Sequence, residues 1–200
     1  MKIHLLHSPG AVYSGNAYLV LGSSNKLGDV NSLVDVGTDG SIAEAIGSIW
    51  TGVGKVPVER VVLTHSHFDH AGGLARIREL YNPEVCAAAT IDGVQRQLAH
   101  GERLQMGDED FEVIHAPEHS SDSICLYGIH TGILFSGDAP LNIRSPGGSY
   151  DEPFILFLED LLRRGVKGIY SGHDDPILTN AEAPILDTLK NVLLSSATAK

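Results

Sequence analysis

Two hundred residues, 42% of them hydrophobic and 20% charged, have the composition of a folded domain, which excludes disordered and fibrous architectures. Lys+Arg total 14 against 25 Asp+Glu, a net charge of −11, which counts against a phosphate-gripping nucleic-acid binder and against docking on an anionic membrane. Ten histidines beside only two cysteines is the disproportion that needs a chemical explanation.

The N-terminal run from Met1 to Gly10 has too short an apolar stretch for a secretory signal. No window approaches the roughly 18 apolar residues of a membrane span, so a cytoplasmic protein is expected. Apolar, β-branched runs predict strands over 17–21 and 32–36, with a hairpin turn over 22–29 between them. A helix is predicted over 41–50, a strand over 60–64, a helix over 73–81, a strand over 84–89 and a helix over 91–98. Strands follow over 110–115, 123–128 and 132–136, then a helix over 153–164 with Pro153 at its start, Arg163 and Arg164 in its last turn and Gly165 after them. A strand over 167–171 and a helix over 183–195 complete the pattern. No stretch reads as an interdomain linker, so residues 1–200 are expected to form a single α/β domain. Cys86 and Cys125 sit in apolar runs without CxxC spacing and read as two reduced core thiols.

Chemistry concentrates where the 60–64 strand ends. Val61-Val62-Leu63-Thr64 runs straight into His65-Ser66-His67-Phe68-Asp69-His70 and then Ala71-Gly72-Gly73. On an extended chain side chains alternate with period two, so His65 and His67 point the same way and can grip one cation. As the chain turns, Asp69 and His70 can face a neighbouring point, and one loop can serve two metals. Imidazole and carboxylate without thiolate suit zinc, iron, manganese or cobalt. Three more donors stand where apolar runs stop: His119 after 111–118, Asp138 after 133–137 and His173 after 168–172. Ligands gathered from separate strand ends make an open pocket rather than a closed structural site.

His-x-His-x-Asp-His, a later His after Pro117, an Asp in Ser136-Gly137-Asp138 and a Gly172-His173 pair together resemble the metallo-β-lactamase superfamily over about residues 17–175. The resemblance implies an αβ/βα four-layer sandwich with a dinuclear centre at one edge. It implies that His65, His67 and His119 hold the first metal, that Asp69, His70 and His173 hold the second, and that Asp138 bridges them. Leu33-Val34-Asp35-Val36-Gly37 resembles the family's early Asp-x-Gly segment, in which Asp35 would orient a ligand histidine. The chain departs from the pattern at Glu118, where the family often has Gly, and at Asp174, where Gly commonly follows the late His.

Two divalent ions, zinc foremost and iron or manganese also fitting, would lower the pKa of a bridging water so that hydroxide exists at neutral pH. Asp69 would hold that hydroxide in line, and one metal would polarise the scissile carbonyl. The expected function is therefore a binuclear metal-dependent hydrolase of a small thioester, ester or lactone, similar to the glyoxalase II branch. Only residues 174–200 follow His173, so glutathione specificity is not expected. The alternative is a mononuclear iron enzyme resembling persulfide dioxygenases, using His65, His119 and Asp138; a noncatalytic metal-binding module is a third reading. Asn142, Arg144 and Tyr150 lie in the loop after Asp138 and are candidates for substrate contact. His4, His7, His100, His115, His130 and Tyr13 are expected to be structural or at the surface, with support of a metal ligand an alternative for His115 and the pocket rim an alternative for His7 and Tyr13. The 183–195 helix reads as core packing, with a homodimer face as the alternative. The expected partner is a small-molecule substrate, with neither nucleic acid nor membrane.

Overall fold

A computed structural model describes residues 1–6 and 13–198, with side chains through Ser195. The first half holds strands β1 (Lys2–Leu6), β2 (Ala17–Leu21), β3 (Ser32–Val34), β4 (Arg60–Leu63), β5 (Glu84–Ala87) and β6 (Arg96–Gln97), with helices α1 (Ala43–Gly47), α2 (Phe68–Ala71) and α3 (Leu74–Tyr81). The second half holds β7 (Arg103–Met106), β8 (Glu109–His115), β9 (Ile124–Gly128), β10 (Ile133–Gly137) and β11 (Gly168–Ser171), with helices α4 (Glu152–Arg164) and α5 (Glu182–Thr198). The six strands of the first half form one sheet in sequence order, and the other five form a second sheet in the order β11-β10-β9-β8-β7.

Alternation along each strand divides its side chains between layers. In β2, Tyr18 and Val20 face the second sheet, while Ala17, Leu19 and Leu21 face the helices α1 and α3. In β8, Phe111 and Val113 face the first sheet, and Ile114 faces α4 and α5. Three apolar clusters result: helices on the first sheet, sheet on sheet, and the second sheet on α4 and α5. This is the αβ/βα four-layer sandwich. Strands buried on both faces lack the polar alternation of a solvated sheet, which is why they read as continuous apolar runs.

β3, β4 and β5 run parallel, as do β10 and β11. Parallel strands need crossovers, and their carboxyl ends gather the loops that carry function. The turn over 22–29 joins the antiparallel pair β2 and β3, as expected. Cys86 and Cys125 are buried free thiols, and burial pushes both thiol pKa values up, Cys86 to about 11. No helix among the described residues is long and apolar enough to cross a membrane.

The helix expected over 91–98 is a correction. Gly93 takes φ +94°, which ends any helical run, and Arg96 and Gln97 pair with Cys86 and Ala87 as β6. Ile91 and Val94 are packed on the first-sheet core, so apolar spacing there marks turn residues pinned to a sheet edge. The strands β1 and β7 and the one-turn helix α2 were not anticipated. Both strands are short edges whose outward half is polar or charged, a weak signal in sequence.

Candidate metal centre

Four strands of the two sheets deliver seven donor side chains to one cleft. β4 ends at Leu63, and the residues that follow carry His65, His67, Asp69 and His70. His67 flanks the N-terminus of α2, and Asp69 and His70 lie within that helix. The turns after β8, β10 and β11 bring His119, Asp138 and His173 from the other sheet. Their donor atoms fall into three overlapping trios, each with all atoms within 4.8 Å of one another: His65, His67 and His119; His65, His70 and Asp138; and Asp69, His70 and His173.

In the first trio, His119 Nε2 lies 3.1 Å from His65 Nε2 and 3.0 Å from His67 Nδ1. In the last, His173 Nε2 lies 3.1 Å from Asp69 Oδ2 and 3.4 Å from His70 Nε2. Asp138 reaches both groups: its Oδ2 is 3.5 Å from His119 and 3.3 Å from His173, and its Oδ1 is 3.2 Å from His70 Nε2. Despite that last approach, Asp138 Oδ1 is a buried oxygen without an aligned hydrogen bond. A buried unpaired carboxylate oxygen is costly, and converging imidazole nitrogens cannot all satisfy one another with protons. The donor set and its orphaned oxygen fit one or two cations.

Electrostatics point the same way. Burial lowers the pKa of His65 to about 4, with the charge on His70 adding to the effect. Burial opposes charge on His70 too, but Asp35 and Asp138 outweigh it and push His70 up to about 10. Asp138 is held down at about 2 against its burial by His70, His173 and His65. Burial thus keeps His65 neutral, a free donor, while the carboxylates Asp35 and Asp138 hold positive charge at His70.

Asp35 braces this arrangement from inside. It is 2% exposed, has φ +58°, and accepts from Thr64 N at 2.7 Å, Thr64 Oγ1 at 2.8 Å and His70 Nδ1 at 2.8 Å. Thr64 Oγ1 in turn lies 3.0 Å from His65 Nδ1. With Nδ1–H of both histidines directed at this network, the Nε2 atom of each faces the cleft. The sequence led us to expect one oriented histidine; the structure connects Asp35 to two.

The backbone approaches closely on the other side. A Cβ on Gly172 would stand 2.1 Å from Asp138 Oδ1, and one on Gly15 would stand 2.7 Å from the His70 ring. Gly15 N donates to Asp69 O, Asn16 N to Gly172 O, and Asn16 Nδ2 to Ser171 O and Asp174 O, so the 13–16 segment ties the two sheets together at the site. Sequence reasoning missed Gly15 and Asn16, whose only signal is a Gly and an Asn before a strand. Glu118, where the resembled family often has Gly, takes φ +85° in the turn that presents His119.

Ser66 N donates to Asp122 Oδ2, and Ser120 Oγ donates to Asp122 Oδ1, so the loops beside His65 and His119 are tied together. Asn142 lines a cavity of about 270 Å³ with His119, Asp138 and His173, and joins Arg144 in an adjoining one of about 250 Å³. Tyr150 is half-buried against Phe154 and borders neither cavity. His100 and His115 border a separate groove beside α4, His4 lies on β1 and His130 in a surface turn. His7 lies outside the described residues. Tyr13 is exposed, as expected, and also sits on the rim, its ring stacked on His173.

A family model described as "Metallo-beta-lactamase superfamily" matches residues 10–171. The chain belongs to the metallo-β-lactamase superfamily. It is similar to hydroxyacylglutathione hydrolases of Hydrogenovibrio crunogenus, with 30% identity over 60% of this chain and 46% of that one, and of Xanthomonas euvesicatoria pv. vesicatoria, with 40% identity over 42% of this chain and 33% of that one. The chain thus spans less than half the length of these superfamily relatives. Among solved structures, a metallo-beta-lactamase family protein from Thermus thermophilus has a TM-score of 0.69 at 18% identity, covering 96% of this chain and 79% of that one. A structure described as "Peroxy diiron species of chemotaxis sensor ODP" has a TM-score of 0.70 at 16% identity, covering 94% and 90%. At such identities the likeness speaks for the superfamily fold alone.

Proposed function

We propose that this chain binds two divalent metal ions in the cleft between its sheets and hydrolyses a small thioester or ester. The observation that carries the reading is the pair of donor groups that share Asp138. His65, His67 and His119 would hold one ion, Asp69, His70 and His173 the other, and Asp138 would lie between them. When bound, the ions supply Lewis acidity, making a neighbouring water acidic enough to yield hydroxide near pH 7 and drawing charge from the substrate carbonyl. Asp69, whose Oδ2 already borders His173, accepts a hydrogen bond from the attacking water and holds it in line. Asp35 keeps His70 and His65 in the tautomer that offers Nε2. Asn142 and Arg144, which border the adjoining cavities, contact the substrate beyond its reacting carbonyl. A thiolate leaves with little help from an acid, because thiols ionise at about pH 8.5. The hydroxyacylglutathione hydrolase relatives support a thioester in particular; the imidazole and carboxylate donors make zinc the first ion to try. Since the site draws donors from both sheets, residues 1–200 are taken as one functional domain.

The mononuclear iron reading would use His65, His119 and Asp138 alone; it leaves Asp69, His70 and His173 converged without a purpose. A panel of thioesters, esters and lactones assayed on zinc-loaded and chelated protein tests the proposal. Hydrolysis should depend on metal, and His67→Ala and Asp138→Ala should each abolish it in protein that stays folded by circular dichroism. Undiminished rates in either variant would break the assignment.

A further inference from the structure

Tyr13 occupies a position that the sevenfold donor set does not explain. The ring lies on His173 with centroids 5.2 Å apart and planes 18° from parallel. His173 is more open than the carboxylates beside it, with 31% of its side chain accessible against 8% for Asp69 and 12% for Asp138. The Tyr13 hydroxyl is 3.3 Å from both His173 Nδ1 and His173 Nε2. Equal distances to two nitrogens, with the rings nearly parallel, mean that the oxygen stands over the imidazole face. In-plane lone pairs cannot be reached from there, so the phenol O–H is left to donate elsewhere.

The backbone holds this placement. Thr38 Oγ1 donates to Tyr13 O at 2.6 Å, Thr38 N donates to Ser14 Oγ at 3.2 Å, and Gly15 N donates to Asp69 O at 2.9 Å. Gly15 can pass over the His70 ring only because it has no Cβ. The strap therefore carries Tyr13 to the mouth of the cleft while the residue remains 65% exposed, free to meet an incoming molecule. His173 Nε2, beneath the phenol, is itself within 3.3 Å of Asp69 Oδ2 and Asp138 Oδ2.

We propose that Tyr13 is a further catalytic residue of this site, its ring fixed on His173 and its O–H donated to the acyl oxygen of the bound ester or thioester as negative charge develops there. The proposal rests on the hydrolase reading. A hydrogen bond that strengthens in the transition state acts on turnover more than on ground-state binding.

Tyr13→Phe keeps the stack and removes only the donor. In the zinc-loaded protein it should lower kcat about 10- to 100-fold with KM little changed, the scale of one lost oxyanion donor or less. Affinity for a phosphonate analogue, whose tetrahedral anionic oxygens mimic the transition state, should fall by a similar factor in calorimetry. Zinc content per chain should stay at the wild-type value. Unchanged kcat and unchanged phosphonate affinity would overturn the assignment, as would loss of an ion, which would make the hydroxyl a support for His173 instead. If the wild-type protein hydrolyses no ester or thioester, the hydrolase reading and the Tyr13 role fall together; wild-type turnover with an unaffected Tyr13→Phe overturns Tyr13 alone.

Discussion

The two sheets build the same cleft in different ways. The first supplies four donors from one stretch, residues 65–70, and braces two of them from within: His65 and His70 are almost wholly buried, and both lead to Asp35 through Thr64 or directly, while His67 stays exposed. The second supplies His119, Asp138 and His173 singly from three turns, and His119 and His173 keep 27% and 31% of their side chains open. The first half is thus a buried polar frame that folding itself sets. The second closes onto it by backbone approach at Gly172 and by an unusual turn at Glu118.

That contrast can be broken most forcefully at Asp35. Asp35→Ala strips three donors of their acceptor in a buried site and should cost about 3–5 kcal/mol of stability in denaturant unfolding. A cost below about 1 kcal/mol would mean that the first half is not braced as described. Gly172→Ala attacks the second half. Its Cβ would collide with Asp138 Oδ1 and His70 Cε1, at 2.1 and 2.8 Å, so the turn must shift. Metal-dependent turnover should fall about 100-fold while the unfolding midpoint moves little, since misplacement by an ångström is enough for that loss. Full turnover in this variant would deny that close approach sets the site. The smallest effect is expected at Glu118, a non-glycine residue at φ +85°. Its carboxylate accepts only a long 3.4 Å bond from Asp151 N. Glu118→Gly should therefore stabilise the fold by about 1 kcal/mol, and a loss of stability instead would show that this bond outweighs the backbone conformation.

What was legible in the sequence follows the same division. The 65–70 stretch could be read directly because four donors stand together after an apolar strand. His119, Asp138 and His173 could be read because each stands just past the point where an apolar strand pattern stops. Asp35 was legible through its segment, although its reach to His65 through Thr64 depends on side-chain directions that a linear pattern does not carry. The roles of Gly15 and Gly172 were not legible, since they arise from contacts across the two sheets. Tyr13 shows the same limit: its exposure was foreseeable, but its partner lies 160 positions away in the chain. The helix expected over 91–98 failed because Ile91 and Val94 have helical spacing, while Gly93 and the open edge of β5 decide the local structure.

The central claim is that both halves together hold two ions for hydrolysis. Elemental analysis of the protein after loading with zinc, or separately with iron under air, tests it directly, read beside thioester hydrolysis and oxygen uptake. Two divalent ions per chain and metal-dependent hydrolysis without oxygen consumption are expected. One iron per chain, with oxygen consumed on a sulfur substrate and no hydrolysis, would contradict it.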